Sequence, residues 1–407
     1  MGTRNENIIT VIDLGSAKTV ALVVETTEAG LRYRGHGMAP SGGTRRGVIV
    51  DLTTASRSVA EAVTRAEQAS GLALESAVVG ISGPHIRSVN SHGMISLGAR
   101  PRELTSADVQ AAGDRAREIP LPEDREILHL LQQEFVVDQQ DGVRQPVGML
   151  GRQLEVREHV ITAAHSAVQN VITALNRAGM QVEDTVYEAL ACSESVLRRD
   201  ERELGAAVID IGANTADICV VQEDVVIHSG VVPLGGINFT RDVGYCLETP
   251  LIEAENLKRQ FGCALVTRIA EQNEIEVPSV GDRPSRMMRQ RELGEILEPR
   301  ARELMELLRD NLRHAGVLEM LGGGIVLTGG GARLLSLTES CEDILRRPTR
   351  IGLPMGMAQL PVELQEPEFA AAIGLVFYTQ RTRVLKSKED TGFGARLRAL
   401  FARGYVN

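Results

Sequence analysis

A chain of 407 residues exceeds the ~250–300 residues over which a single hydrophobic core usually grows, so at least two domains are expected. Its 43% hydrophobic and 24% charged residues exclude a wholly disordered chain, while 3% aromatics and no Trp exclude a large stacking platform for single-stranded nucleic acid. The formal net charge of -10 opposes generic binding to DNA or RNA, whose affinity comes from cations displacing counterions, so no nucleic-acid partner is expected and any anion site must be local.

The start, Met1 to Asn7, is polar, and the apolar run from Ile8 is broken by Asp13. Neither a signal peptide nor an apolar span of ~20 residues is expected. Cys192, Cys219, Cys246, Cys263 and Cys341 lie far apart with no C-x-x-C pair, which fits a reducing compartment, the cytoplasm by default, and argues against zinc or a disulfide framework.

In chain order, Ile8 to Leu14 and Val20 to Glu25 are β-rich runs around a short Gly/Ser/Lys turn. A helix is expected near Thr54 to Ser70 and a strand over Ala77 to Ser82, before a break at Gly83-Pro84. The segment from about Pro84 to His159 differs in texture, with β-like Ser88 to Leu97, a helix opened by Ser106 and Asp108, and turn-rich Asp138 to Gly142, and reads as an insertion. Helical patterns resume at Ser166 to Ala178 and Tyr187 to Arg198. Then the opening pattern recurs: Val11-Ile12-Asp13-Leu14-Gly15 becomes Val208-Ile209-Asp210-Ile211-Gly212, again between two β runs, Ala206 to Ile211 and Ala216 to Val221. A charged region follows, Glu253 to Gln260 and Arg283 to Arg313, the latter expected to be mostly one amphipathic helix. The last elements are a strand Ile325 to Leu327, a glycine turn leading to a helix from Arg333, and a basic terminal stretch.

A hairpin tip of Gly and small hydroxyl residues suits phosphate, because successive backbone N–H groups converge on an anion only where no bulky Cβ intervenes. An Asp at the strand end can hold Mg²⁺, which keeps several waters, so Asp13 and Asp210 facing each other would position a hydrated ion on a phosphate tail. One D-x-G hairpin alone is an ordinary turn; here there are two. Leu327-Thr328-Gly329-Gly330-Gly331-Ala332 is a third element, whose glycines let a ribose or phosphate touch the backbone. Glu255 and Lys258 share a helix face at i and i+3, in isolation a plain solvated pair. Lysine occurs only at Lys18, Lys258, Lys386 and Lys388 in an otherwise arginine-based set of cations, and two of the four fall in these motifs.

The matched hairpins, the T-G-G-G turn and the helix Pro367-Glu368-Phe369-Ala370-Ala371-Ala372-Ile373-Gly374-Leu375 resemble the actin, Hsp70 and sugar-kinase ATPase superfamily. Within it the chain resembles the FtsA family of actin-like bacterial cell-division proteins. The stretches that carry this are Gly47 to Asp51, Gly80 to Ile86, Pro146 to Leu154, Glu253 to Gly262 and Gly281 to Leu307. The resemblance implies a two-lobed α/β actin-like ATPase fold, each lobe a sheet with flanking helices. The first lobe would comprise 1–83, 160–195 and 355–380 with an inserted α+β subdomain at 84–159. The second would comprise 196–222 and 299–354 with an insertion at 223–298, and 381–407 would be a linker and a membrane-targeting helix.

Carried onto this sequence, the resemblance gives Asp13, Gly15, Ser16 and Lys18 as the first phosphate loop and Asp210, Gly212, Asn214 and Thr215 as the second. Glu255 and Lys258 would meet the adenosine, Gly329, Gly330 and Gly331 the base and sugar, and Glu188 the attacking water. The cofactors would be ATP and Mg, the latter held by Asp13 and Asp210 through water. Relatives commonly carry consecutive glycines where this chain has Ala213-Asn214, so slow or absent turnover is expected. The implied function is an ATP-binding, self-associating scaffold that tethers the FtsZ ring to the cytoplasmic face of the membrane at the division site and recruits later division proteins. An acidic FtsZ C-terminal peptide would meet Arg283, Arg286, Arg289, Arg291 and Arg300. The +5 segment Arg381 to Asn407, with Phe393, Leu397, Leu400 and Phe401 on one helix face, would lie flat on anionic lipid. A pilus-assembly actin-like adaptor and a small-molecule kinase on the same fold stand as alternatives.

Overall fold

Residues 7–45, 47–281 and 283–390 are described by a computed structural model of the chain. The apolar run Ile8–Leu14 turns through three small residues into Lys18–Thr27, and the two strands pair antiparallel with Asp13 opposite Val20. Alternation along the first strand divides its side chains between two cores. Ile9 and Val11 pack with Ile373 and Val376 of the helix Ala370–Asp390, whereas Ile12 packs with Val59 and Ala62 of the helix Leu52–Ser70 on the other face. Asp51 caps the latter helix, accepting the Thr53 N–H at 2.9 Å.

The first five-stranded sheet runs in the order Gln181–Tyr187, Ser76–Ile81, Ile8–Leu14, Lys18–Thr27, Gly30–Pro40. The second runs Thr349–Ile351, Gly324–Thr328, Ala206–Ile211, Ala216–Gln222, Val225–Val232. In both, three strands are parallel and the last two return antiparallel, so the hairpin repeat seen in the sequence extends to a whole sheet. The second lobe is backed by the long helix Gln290–His314, whose Leu293, Leu297, Leu304 and Leu308 are fully buried against Ile209 and Ile211.

A four-stranded antiparallel sheet, in the order Gln140–Val143, Arg125–Val137, Gln153–Ala164, Arg87–Ser96, carries the helix Ser106–Arg117 on one face. Three of its strands meet the second lobe: Ser88 Oγ donates to the Ser229 carbonyl at 2.6 Å, Gln133 Nε2 to the Val226 carbonyl at 2.9 Å, and His159 Nε2 meets Ser229 Oγ at 2.8 Å. Its strand Gln153–Ala164 runs without a break past residue 159, and the helix Gln290–His314 likewise crosses residue 298.

Arg283 to Arg313 is mostly one helix, as expected, but the helix starts only at Gln290; Arg286–Arg289 pairs as a strand with Glu274–Val277, placing Arg289 opposite Glu274. Two expectations are corrected. Tyr187 ends a strand, and the helix begins at Glu188. After the triple glycine, residues Gly330–Arg333 form only a 3-10 turn, Ser336 takes a left-handed φ of 60°, and the helix is Leu337–Leu345. The anchor residues Phe393, Leu397, Leu400 and Phe401 lie outside the described residues. Among the described residues no helix is long and apolar enough to cross a membrane.

Candidate functional site

Between the two sheets lies a cleft of about 930 Å³, and both hairpin tips point into it. Asp13, Gly15, Ser16 and Lys18 line one wall, and Asp210, Gly212, Asn214 and Thr215 the other. Glu188, Glu255, Lys258, Gly329, Gly330 and Gly331 complete the lining. Residues scattered over more than 300 positions thus meet in one place. Arg283, Arg286, Arg289, Arg291 and Arg300 are not among the residues that line it.

The floor is acidic. Asp13 is pushed up to about 6 by burial, against the lowering effect of Lys18, and Asp210 to about 7 by burial and then by the charges of Asp217 and Asp13. Glu188 is raised well above the usual carboxylate range by burial and then by Asp13, Asp217 and Asp210. Burial thus raises all three, and neighbouring carboxylates add to it at Asp210 and Glu188 but not at Asp13. Cys192, four residues after Glu188 on the same helix, donates its thiol to Asp210 Oδ2 at 3.4 Å.

Close backbone approach shapes the second-lobe wall. Gly329 has φ 79°, and a Cβ there would stand 2.1 Å from Asp210 Oδ1. At Gly235 a Cβ would stand 2.6 Å from the Gly212 carbonyl, and the N–H groups of Gly236 and Ile237 donate to the Gly212 and Ala213 carbonyls at 3.0 and 2.8 Å. Only glycine fits at either position. Ala213 and Asn214 do not share this demand, since neither takes a positive φ.

The two lysines are already engaged. Lys258 Nζ donates to Glu255 Oε2 at 2.6 Å, Thr240 Oγ1 at 2.9 Å and the Gly236 carbonyl at 3.0 Å. Burial raises Glu255, but Lys258 and Thr240 more than offset it and hold the carboxyl below its usual range. Lys18 Nζ sits 3.6 Å from Glu368 Oε1 and 3.4 Å from the centroid of the Phe369 ring.

Sequence reasoning missed Asp217 and Ser82. Asp217 lies directly opposite Asp210 in the second hairpin, and its Oδ2 accepts Ser82 Oγ from the first lobe at 2.7 Å and Thr215 Oγ1 at 2.8 Å. Its Oδ1 is buried without a donor in hydrogen-bond geometry. Comparison of the two repeats held the signal, because the first hairpin has Val20 where the second has Asp217.

Two duplicated sheets closing on a cleft floored by paired hairpin acids define an actin-like ATPase fold. Solved structures agree on the fold: the chain in the PilM-PilN type IV pilus biogenesis complex superposes with TM-score 0.65 at 18% identity, covering 91% of this chain and 98% of that one. MreB5 of Spiroplasma citri bound to ADP superposes with TM-score 0.57 at 14% identity, covering 93% and 98%. Within that class the chain belongs to the FtsA family of cell-division proteins. It is 40% identical to the cell division protein FtsA of Pseudomonas aeruginosa over 90% of this chain and 88% of the relative, and 34% identical to that of Escherichia coli K12 over 93% and 92%. The family model "Cell division protein FtsA" matches residues 207–374, and "SHS2 domain inserted in FTSA" matches 83–162, the stretch that holds the four-stranded sheet. The chain is therefore an actin-like cell-division protein.

Proposed function

We propose that the cleft binds ATP with Mg²⁺ and that the protein is a nucleotide-dependent scaffold of the Z ring rather than a metabolic enzyme. The observation that carries this is the pair of hairpin acids, Asp13 and Asp210, set across one cleft among Lys18, Lys258 and three consecutive glycines. MreB5 of Spiroplasma citri, which shares the fold, has been solved bound to ADP and to AMPPNP. The donor set fits magnesium. The floor carries raised carboxyls and an orphaned buried Asp217 oxygen. Among the described residues no three His, Cys, Asp or Glu side chains converge to ligate one ion directly. Such a floor suits an ion that keeps its waters, with Asp13 and Asp210 holding it through them. Bound there, Mg²⁺ would neutralise phosphate charge.

Glu188 would orient an attacking water. In the ligand-free cleft burial and its three acidic neighbours raise its carboxyl, which disfavours the charged form that would take a proton from water and fits slow turnover. For the FtsZ tail, Arg283, Arg286 and Arg289 are exposed on or beside the Arg286–Arg289 strand, near exposed Met287 and Tyr245. Arg286 Nη2 donates to the Leu247 carbonyl at 2.6 Å, close to Tyr245. Basic and apolar side chains together suit an acidic peptide with apolar anchors. Arg300 is already taken by Asp242 at 2.6 Å, Arg283 by Glu248 at 3.2 Å and Arg291 by Glu295 at 3.3 Å, so these three contribute less than Arg286 and Arg289. Arg381 and Arg383 are held by Glu194 and Glu183 of the first lobe, so the part of 381–407 that would serve as the peripheral membrane anchor is the stretch with Phe393, Leu397, Leu400 and Phe401; self-association into a filament and recruitment of later division proteins complete the reading.

Titration with ATP, with and without Mg²⁺, followed by co-sedimentation with anionic vesicles and binding of an acidic FtsZ C-terminal peptide, tests each part separately. Nucleotide-independent behaviour throughout would defeat the proposal. Loss of vesicle binding on deleting 392–407, with ATP binding kept, is the result expected for the anchor.

A further inference from the structure

Glu368 belongs to neither hairpin, yet it touches both sides of the cleft. The turn Pro367–Phe369 is fastened to the second lobe: the Pro367 carbonyl accepts Gly329 N–H and Thr328 Oγ1, each at 3.1 Å. Phe369, two residues on, is buried in the core of the first lobe. Glu368 therefore sits where the chain crosses between lobes. Its Oε2 accepts Arg333 Nη1, just after the glycine turn, at 3.0 Å, and its Oε1 faces Lys18 Nζ of the first hairpin. Arg333 has a second acid, Glu366, at 3.2 Å.

We propose that Glu368 is a positioning residue of the cleft, a tethered anion that holds the Lys18 ammonium on the Phe369 ring and competes with the phosphates of an incoming nucleotide for it. This rests on the nucleotide reading above. One ammonium cannot sit squarely on a carboxylate and a polyphosphate at once, so phosphate must draw Lys18 off Glu368. Arg333 remains as partner for the released carboxylate, which makes the exchange inexpensive. Any phosphate tail that takes Lys18 bears the cost of this exchange, so Glu368 lowers the affinity of phosphate-bearing ligands relative to neutral ones.

The test uses the full chain and Glu368→Gln, which keeps size and shape while removing charge, each alone and with Lys18→Ala. Mg·ATP affinity is measured by calorimetry and adenosine by competition. Because the Lys18–Glu368 pair is half-buried, Glu368→Gln should tighten Mg·ATP about two- to fivefold, leave adenosine unchanged, and give no gain in the Lys18→Ala background. Glu368→Asp, too short to reach Lys18 yet still charged for Arg333, should show a smaller gain of the same sign and guards against misfolding. Unchanged or weaker Mg·ATP binding in Glu368→Gln, or a gain that survives Lys18→Ala, would overturn the proposal. A wild-type chain that binds no Mg·ATP would instead overturn the nucleotide reading itself.

Discussion

The two hairpins share a backbone and divide the electrostatics. In the first, Asp13 has Lys18 close by, and the residue opposite it is the apolar Val20. In the second, Asp210 has no such lysine in its own loop, and the residue opposite is another acid, Asp217. Burial raises both acids, but Lys18 works against it at Asp13, whereas Asp217 and Asp13 add to it at Asp210. Duplication supplied two equivalent turns. On the nucleotide reading proposed above, one would be a phosphate cradle with its own cation and the other an acidic seat for a hydrated ion.

The sharpest way to break this contrast is at the aspartates. Asp210→Asn should weaken Mg·ATP by about tenfold or more, roughly 1.4 kcal/mol, and should remove most of the Mg²⁺ dependence, whereas Asp13→Asn should cost less because Lys18 already offsets its charge. Equal losses, read by nucleotide titration at fixed Mg²⁺, would erase the proposed division of labour.

A second comparison uses pH. Asp13, Asp210 and Asp217 have folded-state pKa values of about 6, 7 and 6, above the ordinary carboxylate value, so the ligand-free fold binds more protons than the unfolded chain between about pH 4 and 7. Stability from these groups is full below about pH 4 and is lost as pH rises through 6 to 7. The buried histidines act oppositely: burial lowers His129 and His159 to about 3, so their contribution is full above about pH 6.5 and is lost as pH falls. Between about pH 6.5 and 7 the acids dominate, and the melting temperature of the ligand-free protein should fall there. Asp210→Asn should flatten that slope, and a slope unchanged by the substitution would assign the effect elsewhere.

The smallest effect concerns the second loop. Because Ala213 takes no positive φ, Ala213→Gly should lower stability by about 0.5–1 kcal/mol through backbone entropy and leave nucleotide affinity within about twofold. A large gain in ATP affinity would mean that the Cβ does hold the phosphate off.

Much of this was legible because it depends on local rules. The Asp-Gly hairpins declared themselves by repetition, alternation marked the strands, and the triple glycine marked a close approach. What stayed hidden depends on chain crossings. Ser82 and Asp217 are 135 positions apart, and nothing local in either ties them together. Glu368 was read only as part of a helix motif, although it reaches Lys18, 350 residues earlier in the chain. Where the helix starts was not legible in Arg283 to Arg289, because a charged run fits a solvated helix as well as a strand, and pairing with Glu274–Val277 decides between them. Gly235 gave no signal either, since its reason is the carbonyl of Gly212 pressed against it.

The long helix Ala370–Asp390 can also be considered as a mechanical part. Its 21 residues make a rod of about 31 Å whose near end is pinned at the cleft. Toward the far end, Arg381 grips Glu194 at 3.0 Å, while Arg383 grips Glu183 at 3.0 Å and the Ile8 carbonyl at 2.8 Å. A pull delivered through the chain beyond Asp390 would therefore meet these clamps first, and they would pass it to the edge strand Gln181–Tyr187, the central strand Ile8–Leu14 and the helix Glu188–Val196 before it reached Phe369 at the cleft.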